Sequence, residues 1–300
     1  MSNFRIGRHI SIGGNFTNIP TIAKKMGYDI FQIFLAAPQQ VFTKSKSQDD
    51  LTKFGQELVK YDIKMVIHGN YTINLCHPAK SKKYVSSMRS LVQDLMSSYH
   101  IGPYCLGVII HMGKNISANN LSIDEAIDNY VYGIQDALEK TPKETTIILE
   151  TGASQGSEVA SRLNGLAEIY WKLRDKDRTR IQFCIDTCHI WASGYNISNS
   201  TGVKQFFKKF EDKIGIEKII CIHFNDSKTN LDSHVDRHAD LGYGFIKSEG
   251  LRQVALFAKK HDIPLIMETP LNAINKKTNQ ELSPNDELDI VKLWLNDLKK

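Results

Sequence analysis

Ile181-Gln182-Phe183-Cys184-Ile185-Asp186-Thr187-Cys188-His189 is an apolar run that stops on a carboxylate and, three residues later, an imidazole. Its β-branched and aromatic residues read as a strand over Ile181–Asp186. Seven other runs have the same form: Arg5–His9, Ile30–Leu35, Lys64–His68, Leu106–His111, Thr146–Glu150, Ile219–Phe224 and Pro264–Glu268. Their ends fall about 26 to 45 residues apart, room for one helix and two loops each time. Several intervening stretches carry helical periodicity. After Ser81, the residues Val85, Met88, Leu91, Val92, Leu95 and Met96 form one stripe that Gly102 stops. Ser122 and Glu125 make a capping-box pattern ahead of Ile127, Tyr130, Val131, Ile134 and Leu138. Ser283-Pro284 opens a last helix with Leu288, Val291, Trp294, Leu295 and Leu298. Strands alternating with helices predict parallel βαβ units, and eight of them close an α/β fold, a single (β/α)8 TIM barrel spanning residues 1–300. No GxGxxG follows the first strand, which speaks against an open doubly wound sheet.

Composition narrows the class. Of 300 residues, 41% are hydrophobic and 24% charged, enough to bury a large core and too apolar for disorder. The longest apolar runs are about five residues, as in Leu106–Ile110, so no membrane-spanning helix is expected. Residues Met1–Gly14 hold no apolar stretch of signal-peptide length, so secretion is not expected either. The five cysteines are odd in number and form no CxxC pair, which points to a reducing interior, cytoplasm or nucleus. Cys105, Cys184 and Cys221 read as small buried hydrophobes, and Cys188 is a weaker contender for a metal ligand. A net charge of +5 suits a polyanion partner but is common without one.

The informative feature is what ends the strands. In this barrel the C-terminal ends of the strands converge on one mouth. Strand three ends in His68, four in His111, five in Glu150 and six in Asp186; seven carries His223 and eight ends in Glu268. The loops after strands six and seven add His189 and the pair Asp236 and His238, whose i, i+2 spacing puts both on one side of an extended segment. One histidine ending an apolar strand is more often a hydrogen-bonded core residue than a ligand. Six polar ends in succession are not explained that way, because carboxylates gathered in a cavity repel unless cations neutralise them. Imidazole with carboxylate suits zinc, and manganese and iron also accept such ligands. His9 is expected to face the same cavity as a supporting donor or substrate contact. His77, His100 and His261 read as surface or packing residues, and Asp232 and His234 as solvated or backbone-contacting ones.

The ordered motifs Ile6-Gly7-Arg8-His9-Ile10-Ser11, His68-Gly69-Asn70-Tyr71-Thr72-Ile73-Asn74-Leu75, Leu149-Glu150-Thr151, Cys184-Ile185-Asp186-Thr187-Cys188-His189, His223-Phe224-Asn225-Asp226-Ser227-Lys228, Val235-Asp236-Arg237-His238, Leu241-Gly242-Tyr243-Gly244 and Met267-Glu268-Thr269-Pro270 resemble the endonuclease IV family of apurinic/apyrimidinic (AP) endonucleases. The resemblance runs from about residue 5 to residue 270. It implies a (β/α)8 barrel with three zinc ions, manganese being an acceptable substitute. His68, His111 and Glu150 would hold the first ion. Glu150 would bridge to a second held with Asp186, His223 and Glu268, and His189, Asp236 and His238 would hold the third. The implied reaction is hydrolysis of the phosphodiester 5′ to an abasic site in double-stranded DNA, leaving a 3′-hydroxyl, with Glu150, Glu268 and Asp236 in catalytic roles and the third ion neutralising phosphate charge. Trimming of blocked 3′ ends is a related activity the resemblance permits. A monomer is expected, with no membrane partner.

Lesion recognition is where the chain departs from the family pattern. Tyr71 matches an intercalating tyrosine, but Gln39 stands where arginine is usual and Thr72 where an apolar wedge is usual. Asp232 and His234 stand where the family often has Gly and Arg. Arg237 and Lys228, with Lys44, Lys46 and Lys247, are the candidate phosphate contacts of the rim. The denser cluster Lys172, Arg174, Lys176, Arg178 and Arg180 precedes strand six and reads as a solvated helix end on the opposite face. Two other functions compete: a sugar isomerase or epimerase on a similar barrel, which would not need the His189, Asp236 and His238 triplet, and a damage-binding protein without turnover. Replacing Gln39→Arg together with Thr72→Leu is expected to tighten binding to a duplex with one abasic analogue; an unchanged equilibrium titration refutes a weakened wedge.

Overall fold

The computed structural model of the protein describes residues 4–12, 15–36, 46–275 and 278–296. The barrel strands are β1 (Ile6–His9), β2 (Ile30–Ile33), β3 (Lys64–His68), β4 (Cys105–Ile110), β5 (Ile147–Glu150), β6 (Ile181–Asp186) and β7 (Ile219–His223), completed by β10 (Leu265–Met267). Between β7 and β10 lie two short strands, β8 (Asp226–Ser227) and β9 (His238–Ala239), paired antiparallel. The eight barrel strands pair in parallel and close in the order β1-β10-β7-β6-β5-β4-β3-β2. The predicted strands are all present, with ends moved by one or two residues.

Around them run α1 (Ile19–Lys25), α2 (Gln48–Tyr61), α3 (Lys82–Ile101), α4 (Ile123–Glu139), α5 (Leu163–Lys172), α6 (Asp175–Arg178), α7 (Thr187–Ala192), α8 (Ser200–Lys213), α9 (Lys247–Lys260) and α10 (Pro284–Asn296). Ser81 caps α3 and Gly102 ends it, and the Ser122/Glu125 capping box is formed in both directions. The stripe read on α3 needs correction. Val85 is exposed, and the buried face instead carries Tyr84, Met88, Leu91, Leu95 and Ile101. The helix presents a face one residue back from Val85, so small and polar Ser87, Asp94, Ser97 and Ser98 are buried with it. Leu298 lies outside the described residues.

Strand alternation divides the core into two. Outward residues such as Phe31, Met65, Val108, Leu149, Phe183 and Met267 pack beneath the helices. Inward, Ile30, Val66, Ile109, Ile148, Cys184, Cys221 and Ile266 form a separate apolar layer that plugs the barrel. On β1 the corresponding position is Gly7, where a Cβ would lie 1.5 Å from the carbonyl oxygen of Ile30. No side chain fits there.

The last helix is tied to the first strand by a buried ion pair. Arg8 Nη1 donates to Glu287 Oε2 at 2.8 Å and to Thr269 Oγ1 at 2.9 Å, and Glu287 Oε1 accepts the Leu241 N–H at 3.0 Å. Removing one partner leaves the other charge buried without compensation. Glu287→Leu is therefore expected to cost about 3–5 kcal/mol in chemical denaturation, and adding Arg8→Met to recover most of it. Equal stability of the single and double variants would contradict this account.

Candidate metal centre

Each inward strand residue that plugs the barrel is followed, two positions on, by a polar one. Ile30 leads to Gln32, Val66 to His68, Ile109 to His111, Ile148 to Glu150, Cys184 to Asp186, Cys221 to His223 and Ile266 to Glu268. The period of two along a strand makes these a second layer resting on the apolar one, at the strand C-termini. His68, Glu150, Asp186 and His223 are buried, while His111 and Glu268 are half-buried at the opening.

His189 is not in a loop, as the sequence predicts, but in the first turn of α7, which starts directly after β6. Asp186 caps that helix, its Oδ1 accepting the His189 N–H at 2.9 Å, so one carboxylate both starts the helix and faces the mouth. The β8–β9 ribbon carries His238 over the barrel, and Asp236 is anchored by its N–H on Gln155 Oε1 at 2.8 Å. His189 Nε2 then faces Asp236 Oδ2 at 3.2 Å, and His238 Nε2 faces Asp236 Oδ1 at 3.2 Å and Asp186 Oδ2 at 3.5 Å. His68 and His111 both direct Nε2 at Glu150 Oε2, 3.5 Å away. His223 Nδ1 lies 2.8 Å from Glu150 Oε1, 3.2 Å from Glu268 Oε2 and 3.9 Å from Asp186 Oδ2.

Donor atoms thus gather, within 4.8 Å of one another, as His68/His111/Glu150, as Glu150/Asp186/His223/Glu268 and as His189/Asp236/His238. A further grouping joins Cys188 to Asp186 and His238, with burial pushing that thiol up to about 12 when no ion is bound. The fit to metal ions rests on the unpaired atoms. Among the described residues, Glu150 Oε2, His111 Nε2, His189 Nε2 and His238 Nε2 are buried without a hydrogen-bond partner, and all four point into this cluster. The opposite ring nitrogens are used: His68 Nδ1–H donates to Gly69 O at 2.8 Å and His189 Nδ1–H to Thr151 O at 2.7 Å, leaving Nε2 as the nitrogen turned to the cluster.

Electrostatics divide the imidazoles. Burial holds His111 and His9 down at about 4. Burial also pulls on His223 and His238, but facing carboxylates reverse the sign and raise them to about 10 and about 9. His189 is raised by Asp186 and Asp236 against its burial. Burial raises the Glu150 carboxyl, yet His111 and His223 hold it well below the usual range. Asp236, likewise opposed by burial, is held down by His189 and His238. Without ions, protons on three imidazoles balance the carboxylates.

The sequence motifs assign no role to several supporting residues, although Thr151, Asn225 and Asp226 lie within them. Gln32 bridges His223, Glu268 and His9. Asn225 Nδ2 donates to Asp186 Oδ2 at 2.8 Å, and Thr151 Oγ1 accepts the Asp186 N–H. Asp226 accepts backbone N–H groups of Ser227, Gly242, Gly244 and Ile246, and Asp240 those of Leu271, Asn272 and Ala273, which folds the rim loops. A lone carboxamide at the end of an apolar strand is the available signal for Gln32 and Asn225. His9 does reach the cavity, its Nδ1 3.2 Å from Gln32 Nε2.

Tyr71 stands at the mouth, 54% exposed, its ring against Phe34, His68 and His111. Tyr71 and Phe34, with His9, His238 and Glu268, border a cleft of about 350 Å³. Thr72 is exposed beside it, its N–H on Asn70 Oδ1 at 2.8 Å. Lys228 and Arg237 are both exposed and joined through Lys228 N–H to Arg237 O at 2.9 Å, beside His238. Lys46 covers the Phe16 ring, and Lys247 starts α9. Gln39 and Lys44 lie outside the described residues. Asp232 and His234 are exposed with φ of 60° and 55°, and donate backbone N–H groups to Trp191 and Ala192. His77 is buried against Asn119. In the basic cluster, Lys172, Arg174 and Arg178 are paired with Asp128, Glu139 and Asp175, and Arg180 is spent on the carbonyls of Leu138 and Thr145. A larger cleft of about 1130 Å³ lies at the strand starts, lined by Lys64, Leu106 and Ile219, and includes none of the donor sets.

A family model described as a xylose isomerase-like TIM barrel matches residues 20–292. A protein of Acanthamoeba polyphaga mimivirus that carries the name endonuclease 4 is 63% identical over 97% of this chain and 93% of its own length. Apurinic-apyrimidinic endonuclease 1 of Saccharomyces cerevisiae is 31% identical over 90% of this chain and 72% of its own. The crystal structure of endonuclease IV from Thermus thermophilus superposes with a TM-score of 0.79 at 26% identity, covering 98% of this chain and 99% of that one. With sequence and barrel matched over nearly their whole extent, the chain belongs to the endonuclease IV family of AP endonucleases.

Proposed function

We propose that this chain is a zinc-dependent AP endonuclease that hydrolyses the phosphodiester 5′ to an abasic site in duplex DNA and leaves a 3′-hydroxyl. The observation that carries the reading is the convergence of nine imidazole and carboxylate side chains, several of whose facing atoms lack protein partners. The residues divide as three sites: His68, His111 and Glu150; Glu150, Asp186, His223 and Glu268; and His189, Asp236 and His238. Bound divalent ions, zinc first and manganese as a substitute, supply a water of lowered pKa and neutralise phosphate charge. The third donor set favours a nuclease over a sugar isomerase on the same barrel, and the names of the relatives agree.

The chain's own groups do the rest. The apolar plug beneath the donor layer excludes water from below, which strengthens every charge interaction above it. Glu150 joins two donor sets and keeps them at a fixed separation. Asp236 and Glu268 stay ionised and are the oxygens placed to orient or accept a proton at the opening. Tyr71 and Thr72 stand where an opened base stack would meet the mouth, while Lys228 and Arg237 take backbone phosphates. The same centre suits removal of blocked 3′ ends. The catalytic unit is one domain over residues 1–300 acting as a monomer in a reducing compartment; all five cysteines are free and buried.

Metal quantification on purified protein, paired with incision of a duplex bearing one tetrahydrofuran lesion, tests the reading directly. About three zinc ions per chain and a single 5′ nick are expected; an ion-free preparation that still incises overturns it. Glu150→Gln is expected to abolish incision and loosen two ions together, since its carboxylate belongs to two donor sets; full activity contradicts the assignment. Metal loading also has a proton signature. His223 and His238, raised to about 10 and about 9, and His189 must give up protons to bind ions. Zinc added to metal-free protein at pH 7 is expected to release protons into weak buffer, and apparent affinity to rise with pH up to about 10. Loading without proton release shows that the three imidazoles are already neutral before an ion binds, against the proton balance of the metal-free centre.

A further inference from the structure

We propose that Gln32 is a positioning residue of the metal centre, its amide setting which ring nitrogen of His223 and which oxygen of Glu268 face the pocket shared with Glu150 and Asp186. The inference rests on reading that cluster as a metal centre.

Gln32 is fully buried in the otherwise apolar run Ile30-Phe31-Gln32-Ile33-Phe34-Leu35. Burying an amide there is costly unless both of its ends are bonded. Both are. Gln32 Oε1 lies 2.7 Å from His223 Nε2, and Gln32 Nε2 donates to Glu268 Oε1 at 2.6 Å and to His9 Nδ1 at 3.2 Å. The amide has only one workable sense. Turned over, its oxygen would meet the Glu268 carboxylate, acceptor against acceptor, and its NH₂ would meet the His223 N–H.

This sense has consequences for both ligands. Because Gln32 Oε1 is an acceptor only, His223 keeps a proton on Nε2, so the nitrogen it would free for an ion is Nδ1, which faces Glu150, Glu268 and Asp186. His68, His111, His189 and His238 all present Nε2 instead. His223 is thus turned opposite to the other four, and Gln32 is the group on its far side. The Gln32 NH₂ likewise engages Glu268 Oε1, leaving Oε2 to face the pocket, 3.2 Å from His223 Nδ1. One amide on β2 therefore aligns ligands from β7 and from the end of β10.

Nitrogen-15 spectra of the zinc-loaded protein, labelled in histidine, test this without reference to activity. His223 is expected in the Nε2–H form with a slowly exchanging ring proton. Gln32→Met is expected to speed that exchange and make about one zinc equivalent 10- to 100-fold easier to remove with a competing chelator, the other equivalents being retained. Gln32→Glu keeps an acceptor for His223 but loses the donor for Glu268, so it is expected to weaken the same equivalent while preserving the Nε2–H form. A wild-type His223 protonated on Nδ1, or both variants holding zinc like the wild type, overturns the proposal. A wild-type protein that takes up no stoichiometric zinc instead overturns the metal centre itself, and this proposal with it.

Discussion

Carboxylates held above an apolar plug must be neutralised, and much of this structure follows from how that is done. Glu150 and Asp186 are buried, and Glu268 and Asp236 lie beside them nearer the opening. Ionised side chains in such a setting are sustained only by opposite charge or by donors aimed at them. The imidazoles of His189, His223 and His238 provide that charge as protons when no ion is bound. Divalent ions provide it more compactly and recruit the His68 and His111 lone pairs as well. The same arrangement that keeps the fold from repelling itself makes the mouth a candidate place for ions.

The chain contains a second kind of buried carboxylate, and the contrast separates scaffold from chemistry. Asp226 takes four backbone N–H groups, Asp240 takes three, and Glu287 takes Arg8, Thr269 and the Leu241 N–H. Every oxygen of these three is satisfied by protein, and each organises a loop or helix at the rim. Glu150 Oε2 has no such partner. A carboxylate that the protein satisfies builds the site; one that it leaves unsatisfied belongs to whatever the site binds.

The opening is less uniform than the metal layer. Tyr71 packs over His68 and His111 and remains half in solvent, whereas its exposed neighbour Thr72 offers only a hydroxyl and a methyl. Asp232 and His234 adopt left-handed backbone conformations that a glycine takes without strain, and they pair with each other and, through Asp232, with Arg162. The inner layer is a dense set of imidazoles and carboxylates, while the opening carries single side chains on separate loops.

By itself the sequence determined the eight-strand rhythm, the parity that aims strand ends inward, and nine candidate ligands, because periodicity and the chemistry of His, Asp and Glu are local properties. It also marked Cys184 and Cys221 as buried and discounted the basic cluster before β6, since apolar neighbours and a position ahead of a strand rather than after it are visible along the chain. Tertiary structure alone decided the rest. That His189 begins a helix depends on Asp186 capping it; that Val85 faces solvent depends on how α3 is rotated against the barrel. Gln32 has no meaning until β2, β7 and β10 meet around one cavity, because its three partners stand 23, 191 and 236 residues away. Which nitrogen a histidine offers, and which carboxylate oxygen is left over, are settled by contacts across the barrel that no stretch of chain contains.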